Sequence, residues 1–288
     1  MKKQRMCRLG LSGSAGAIFA TAVLFTGILA MSNARGLDKP VKIASAQIFC
    51  LDGDRSGNLV RIENAVIKAK EAGANLVAFP ESCLFGWENP DAHKRACPIP
   101  GEDSGILCEM ARKHQIYIHI GLDEKDGDKL YGAAILIDDT GKILLKHRKN
   151  NVLAELMTPP YSEGSGVEAV DTPLGRIGVM ICADSFLMNL LKDMRLLKPD
   201  YVLIPYGWAA EETKWPEHGK ELMKTVQKAA KAIGCPVVGT DLVGEISHGP
   251  WTGQVYGGQS IASDAKGNVL FVSKDRDVDM ALVTIGGK

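Results

Sequence analysis

The chain has no Cys-x-x-Cys pair and no Cys/His cluster at the spacing of a structural zinc site. Its six histidines (93, 114, 119, 147, 218 and 248) show no metal-ligand spacing either, so none is read as a ligand and no metal or cofactor is expected. A polybasic tract is also missing. The 34 basic and 34 acidic residues cancel, which removes the electrostatic footprint of a nucleic-acid binder. There is no short-period repeat, no low-complexity tract and no interdomain linker, so one domain is the simplest organisation. What remains is an ordinary globular composition: 288 residues, 45% hydrophobic and 24% charged. A chain of that size buries a core without a disulfide or metal staple.

The first 34 residues differ from the rest. Lys2, Lys3, Arg5 and Arg8 form a basic start without an acidic residue. An apolar, small-residue run from Ala15 to Met31 follows, and Ser32-Asn33-Ala34 has the small-x-small form of a cleavage site. That order predicts a secretory signal peptide over 1–34, an exported protein, and a single mature domain over 35–288. An uncleaved N-terminal membrane anchor is the alternative, because the apolar run approaches spanning length. There is no twin-Arg pair, and Cys7 lies too early for a lipidated cysteine. Six cysteines stay in the mature chain: Cys50, Cys83, Cys97, Cys108, Cys182 and Cys235. Export to an oxidising compartment makes a Cys83–Cys97 pair conceivable, although spacing alone does not decide connectivity.

Strand and helix patterns alternate along 41–287. Val41 to Ile48 reads as a strand, and Asn58 to Glu71 carries apolar residues at helical spacing. Asn75 to Phe79 is a short strand ended by Pro80-Glu81. Hairpin patterns occur around Asp138-Asp139-Thr140-Gly141 and around 264–268. The two halves look like a duplicated strand–helix–strand–hairpin unit. The fold class is α/β with mixed sheets.

Within this layout three reactive side chains share one placement, the end of a strand, where sites gather in α/β sheets. Ile177 to Ile181 delivers Cys182, and Ala183-Asp184-Ser185 is read as opening a helix whose free N–H groups favour a thiolate. Glu81 follows the strand 75–79, and Lys149 follows the strand 142–146. A thiol, a base for its proton and a cation for an oxyanion make up nucleophilic catalysis.

Leu76-Val77-Ala78-Phe79-Pro80-Glu81, Arg148-Lys149-Asn150-Asn151-Val152-Leu153 and Gly178-Val179-Met180-Ile181-Cys182-Ala183-Asp184 resemble the Glu, Lys and Cys motifs of the nitrilase superfamily, in that family's order. Ile43-Ala44-Ser45-Ala46-Gln47 resembles its first strand. Gly257-Gly258-Gln259-Ser260, before Gly267-Asn268-Val269-Leu270, is similar to its last motif. The resemblance implies a four-layer α-β-β-α sandwich, a Glu81–Lys149–Cys182 triad and a homo-oligomer. It assigns Glu81 as general base, Cys182 as nucleophile through a thioester, and Lys149 with the N–H of Ala183 as oxyanion donors.

Many members carry a second Glu after the Lys. Glu155 is the candidate for it and Glu163 the rival, and Asn151 stands where a His is frequent. Nitrilases proper usually show Cys-Trp-Glu; Cys182-Ala183-Asp184 looks more like the amidase and carbamoylase branches. The resemblance therefore implies hydrolysis of a small amide or N-carbamoyl substrate. Acyl transfer by the same thioester, or a silent binding protein on the same fold, are the alternatives. Asp184 has a helix-cap reading beside a functional one. Trp208, with Trp87, Tyr206 and Trp251 as further candidates, is expected to line the pocket.

Overall fold

The structure is a computed structural model that describes residue 37 and residues 39–286. The expected signal segment, 1–34, lies outside the described residues.

The first half runs β1 (Val41–Gln47), α1 (Arg55–Glu71), β2 (Leu76–Ala78), α2 (Ala92–Arg95), α3 (Glu102–His114), β3 (Tyr117–Asp126), β4 (Lys129–Ile137) and β5 (Ile143–Arg148). The second half runs β6 (Glu168–Thr172), β7 (Gly175–Val179), α4 (Met188–Leu196), β8 (Tyr201–Pro205), β9 (Ala209–Ala210), α5 (Glu217–Ile233), β10 (Val237–Thr240), β11 (Val243–Glu245), β12 (Val255–Gly257), β13 (Ile261–Ser263), β14 (Val269–Val272) and β15 (Asp279–Ile285).

Two six-stranded sheets form, in the orders β15-β1-β2-β3-β4-β5 and β14-β13-β10-β8-β7-β6, and β11-β12-β9 make a small third sheet. In the first large sheet β1, β2 and β3 are parallel, followed by the antiparallel pair β4 and β5. In the second, β7, β8 and β10 are parallel, followed by antiparallel β13 and β14. Each set gains one antiparallel outer strand, β15 beside β1 and β6 beside β7. The duplication seen in the sequence is therefore real at the level of topology. Its spare strands come from the far end of the chain and from 168–172, a stretch in which the pattern showed no strand.

The period of two sorts the side chains into layers. Ile43, Leu76, Ala78, Tyr117, Ala134 and Leu136 join the core that holds the second sheet. Ala44, Ala46, Val77, Ile118, Ile120, Ala133 and Ile135 face the other way, with Leu59, Ile62 and Val66 of α1 and Leu107 of α3. Leu222 and Val226 of α5 and Leu191 of α4 cover the second sheet. The result is an α-β-β-α sandwich, as expected.

Polar ties cross the middle of it. Ser45 Oγ of β1 lies 2.8 Å from Thr240 Oγ1 of β10. Gln47 Oε1 accepts from both the N–H and the hydroxyl of Ser260, each at 2.9 Å. The first and last family-like motifs thus hold each other, buried, and their hydrogen bonds are satisfied internally.

Candidate active site

Glu81, Lys149 and Cys182 lie at neighbouring strand ends, and each is buried, at 3%, 4% and 4% exposure. Lys149 Nζ donates to Glu81 Oε1 at 2.8 Å. Burial alone would pull the Lys149 ammonium down; the charge and hydrogen bond of Glu81 oppose it, and the net shift is upward. Lys149 is therefore a cation at any working pH. Glu81 Oε2 is buried and has no hydrogen-bond partner among the described residues.

The backbone around each residue is fixed. Glu81 N–H donates to Tyr206 O at 3.2 Å, and Lys149 N–H donates to Gly132 O at 2.8 Å. Gly121 of β3 permits the Glu81 loop to lie flat on the sheet. A Cβ there would sit 2.5 Å from Glu81 Cα and 2.8 Å from Pro80 O. Gly121→Ala is expected to displace Glu81, to lower turnover by roughly 100-fold and to destabilise the fold by about 1–3 kcal/mol. Initial rates and melting temperature check it; an unchanged rate would show that Glu81 does not need this seat.

Cys182 does not open an α-helix as its sequence context suggested. It begins a five-residue 3₁₀ turn, Cys182–Phe186, and α4 starts only at Met188. So short a turn supplies little of the dipole that was expected to favour thiolate. Burial, and then the Glu81 charge, push the Cys182 thiol well above its ordinary value, with Lys149 opposing them. The resting group is a thiol and must lose its proton to a base.

Its φ of +39° is left-handed, a strained setting for a residue with a side chain. The strain turns the chain sharply from strand into turn, the backbone shape of a nucleophile elbow, with the side chain buried. Ser185 Oγ braces the elbow by donating to Cys182 O at 2.6 Å, and it lies 3.0 Å from Tyr206 Oη.

Asp184, fully buried, joins the Cys and Lys loops. Its Oδ1 accepts the N–H of Asn150 and of Asn151, each at 2.9 Å. Its Oδ2 accepts the Ile181 N–H at 3.1 Å and faces His147 Nε2 at 2.9 Å. Asp184 is thus both cap and clasp. Asn151 Nδ2 also donates to Ala183 O at 2.9 Å, so Asn151 itself helps position the turn.

The other sequence candidates are placed as follows. Trp208 is half-buried, its N–H donates to Asp241 Oδ1 at 2.7 Å, and it stacks on His218 with ring centres 5.2 Å apart. Trp87 packs against Gly207, whose backbone N–H reaches the Cys182 thiol. Trp251 meets Trp87 edge-on at 5.2 Å. Glu155 is exposed on the 3₁₀ turn Ala154–Leu156, and Glu163 is exposed beyond it. No hydrogen bond links either of them to Glu81, Lys149 or Cys182 among the described residues. All six cysteines among the described residues are free; Cys83 donates its S–H to Pro80 O at 2.9 Å and does not pair with Cys97.

Three buried carboxyls near the site carried no sequence signal. Asp123 accepts from Tyr161 Oη at 2.6 Å and from Ser82 Oγ at 3.2 Å; burial pushes it up to about 7. Asp241 is also pushed up by burial. The third is Glu88, raised to about 8 by burial, with Lys149 opposing the shift.

The family profile described as Carbon-nitrogen hydrolase matches residues 42–285. The chain belongs to the carbon–nitrogen hydrolase family, within the nitrilase superfamily. Among curated proteins it is 32% identical over 162 residues to a bifunctional nitrilase/nitrile hydratase of Nicotiana tabacum, covering 49% of this chain and 46% of that protein. It is 30% identical to nitrilase 3 of Arabidopsis thaliana over 162 residues, 49% of this chain and 47% of that one. The chain thus aligns with about half the length of these relatives.

Among solved structures, it superposes on an amidase from Nesterenkonia sp. AN1 with a TM-score of 0.75 at 20% identity, covering 88% of this chain and 92% of the other. That structure shows covalent addition of the acetamide moiety of fluoroacetamide at the active-site cysteine. At this identity the likeness speaks for the fold of the carbon–nitrogen hydrolase.

Proposed function

We propose that this hydrolase cleaves a carboxamide or N-carbamoyl C–N bond through a thioester on Cys182. The observation that carries the reading is the Glu81 carboxyl. One oxygen is held by Lys149, and the other is buried without a donor. Its charge acts on a thiol that burial keeps protonated.

Cys182 gives its proton to Glu81 Oε2 as sulfur bonds to the carbonyl carbon. The carbonyl electron pair moves to oxygen, between Lys149 Nζ and the N–H of Ala183. That N–H lies in the first turn, where no carbonyl of the turn stands behind it. A donor of this kind is worth about 3–4 kcal/mol. Collapse breaks the C–N bond, Glu81 returns the proton to nitrogen, and ammonia departs. Water then passes a proton to Glu81 while attacking the thioester; the C–S bond breaks and the thiol is restored.

The nitrilase names among the relatives favour a second substrate class, the nitrile, which the same thiol attacks at carbon. A panel of small amides, N-carbamoyl compounds and nitriles separates the readings, with ammonia and intact mass as readouts. Ammonia from amides or N-carbamoyl compounds, with an acyl-sized mass gain on Cys182, is expected. Turnover of nitriles alone would overturn the amide reading. An acyl adduct discharged only by an added amine would replace hydrolysis with transfer, and silence across the panel would sink an enzymatic role.

A further inference from the structure

Between the Glu motif and α2 the chain folds inward. Every residue from Glu81 to Asn89 is buried, although the stretch has no regular secondary structure. Left-handed backbone stands at both ends of it, Ser82 with φ +46° and Glu88 with φ +56°. Neither is a glycine, so the conformation costs energy that surrounding contacts must impose. Those contacts are visible. Trp87 N–H donates to Tyr256 Oη at 2.8 Å, the Trp87 ring fills the space over Gly207, and Asn89 Nδ2 donates to Phe85 O at 2.7 Å. Together they hold Glu88 in place at 2% exposure.

Its carboxyl is left unanswered. Glu88 Oε2 is buried with no hydrogen-bond partner among the described residues. A buried carboxyl without a donor is costly, and such exceptions call for an explanation. The charged groups around it are Lys149, Glu81, Asp123 and Glu155, with Tyr161 also in its field. None of them supplies the missing bond: Lys149 Nζ donates to Glu81 and makes no hydrogen bond to Glu88, and Tyr161 donates to Asp123. A group bound beside Lys149 and Glu81 is placed to supply the missing donor.

We propose that Glu88 is a substrate-binding residue whose free oxygen accepts an N–H of the substrate's carboxamide or carbamoyl NH₂. This assignment rests on the amide-hydrolase reading above. It makes Glu88 the residue that separates amides from nitriles, since R–C≡N has no N–H to offer. A site built to pair a substrate N–H penalises the analogue that lacks it, because its own buried group is then stranded.

The test compares wild type, Glu88→Gln and Glu88→Ala on propionamide, 3-aminopropionamide and propionitrile from pH 6 to 9.5. Melting temperatures are followed throughout. Glu88→Gln is expected to raise KM for both amides roughly 10- to 100-fold with kcat little changed, as for loss of one hydrogen bond to a charged group. Any activity on propionitrile should be unaffected. An acceptor works best ionised, and Glu88 ionises as pH rises through about 8. Wild-type KM for propionamide should therefore fall across that range, and Glu88→Gln should flatten the fall.

A Glu88→Gln enzyme with wild-type KM and wild-type pH dependence overturns the assignment. So does a loss confined to 3-aminopropionamide, which would place the donor on the amine. Loss of kcat together with a lowered melting temperature in both variants, at constant KM, would mark a structural role and overturn it as well. Wild type inactive on every amide instead defeats the hydrolase reading, and this assignment with it.

Discussion

Cys182→Ala is expected to lower ammonia release from any amide that wild type hydrolyses by roughly 10⁴-fold or more, while leaving the protein folded. The size of the effect follows from chemistry. Without the thiol there is no thioester, and Glu81 and Lys149 are left to polarise a carbonyl for direct attack by water. Glu81→Gln should fall almost as far, because the members of such a set act as a unit and their losses do not add. The thiol sits at 4% exposure with burial holding it protonated, and an amide in place of the Glu81 carboxylate removes the acceptor whose charge acts most strongly on it.

The two variants should part in stability. Cys182→Ala removes one sulfur and no ion, and keeps the Cβ that the elbow already tolerates, so its melting temperature should stay within a few degrees of wild type. Glu81→Gln leaves Lys149 buried without its ionic partner, and breaking one side of a buried pair costs about 3–5 kcal/mol. Ammonia assays and thermal melts on the same preparations read both quantities. Residual ammonia in Cys182→Ala at more than about a hundredth of the wild-type rate would show that sulfur is not the nucleophile.

The order of strands and helices was legible in the sequence because apolar period and turn residues act locally. The ends of Asn75–Phe79 and Ile177–Ile181 put Glu81 and Cys182 where sheets expose side chains. Lys149 is placed by the same logic. What lay beyond reach was set by distant contacts. The helix expected at Ala183 is a short turn because Asp184 bonds back to Ile181 N–H and across to Asn150 and Asn151, whose loop lies more than thirty residues away. Glu88 and Asp123 read as ordinary loop or strand-end charges. Only the packing of Trp87 on Gly207, and of Tyr161 on Asp123, buries them. Glu155 had the attractive position, a few residues after Lys149; it is exposed, and its charge is felt at Glu88 without a hydrogen bond to Glu81, Lys149 or Cys182. Sequence distance located the loop and gave no information about which way it points.

Asp184 should give a loss of stability as large as that at Glu81. Its carboxylate faces His147 within a pair that is 0% and 1% exposed, and it accepts three backbone N–H groups besides. Asp184→Ala strands all four donors, and a loss of about 3–5 kcal/mol is expected. Activity should fall too, by roughly 100-fold even at temperatures where the variant is folded. The same carboxylate holds the loop of Lys149 and the elbow of Cys182, so both move when it goes.

The pair also gives stability a pH dependence of known sign. Burial pulls His147 down, but its hydrogen bond to Asp184 and the Glu168 carboxylate 3.8 Å from Nδ1 push it up from 6.5 to about 9. A folded value above the unfolded one means that His147 contributes stability fully present below about pH 6.5 and lost as pH rises through about 9. The amount is about 3 kcal/mol, from the conversion of 1.36 kcal/mol per pKa step.

Asp184→Asn keeps the shape and removes the charge that raises His147. Urea unfolding at pH 6 and pH 9 therefore isolates the term. Wild type should be stabilised over Asp184→Asn by a few kcal/mol more at pH 6 than at pH 9. An equal gap at both pH values would mean that His147 is neutral in the folded protein, and that Asp184 clasps the Lys149 and Cys182 loops through its backbone bonds alone.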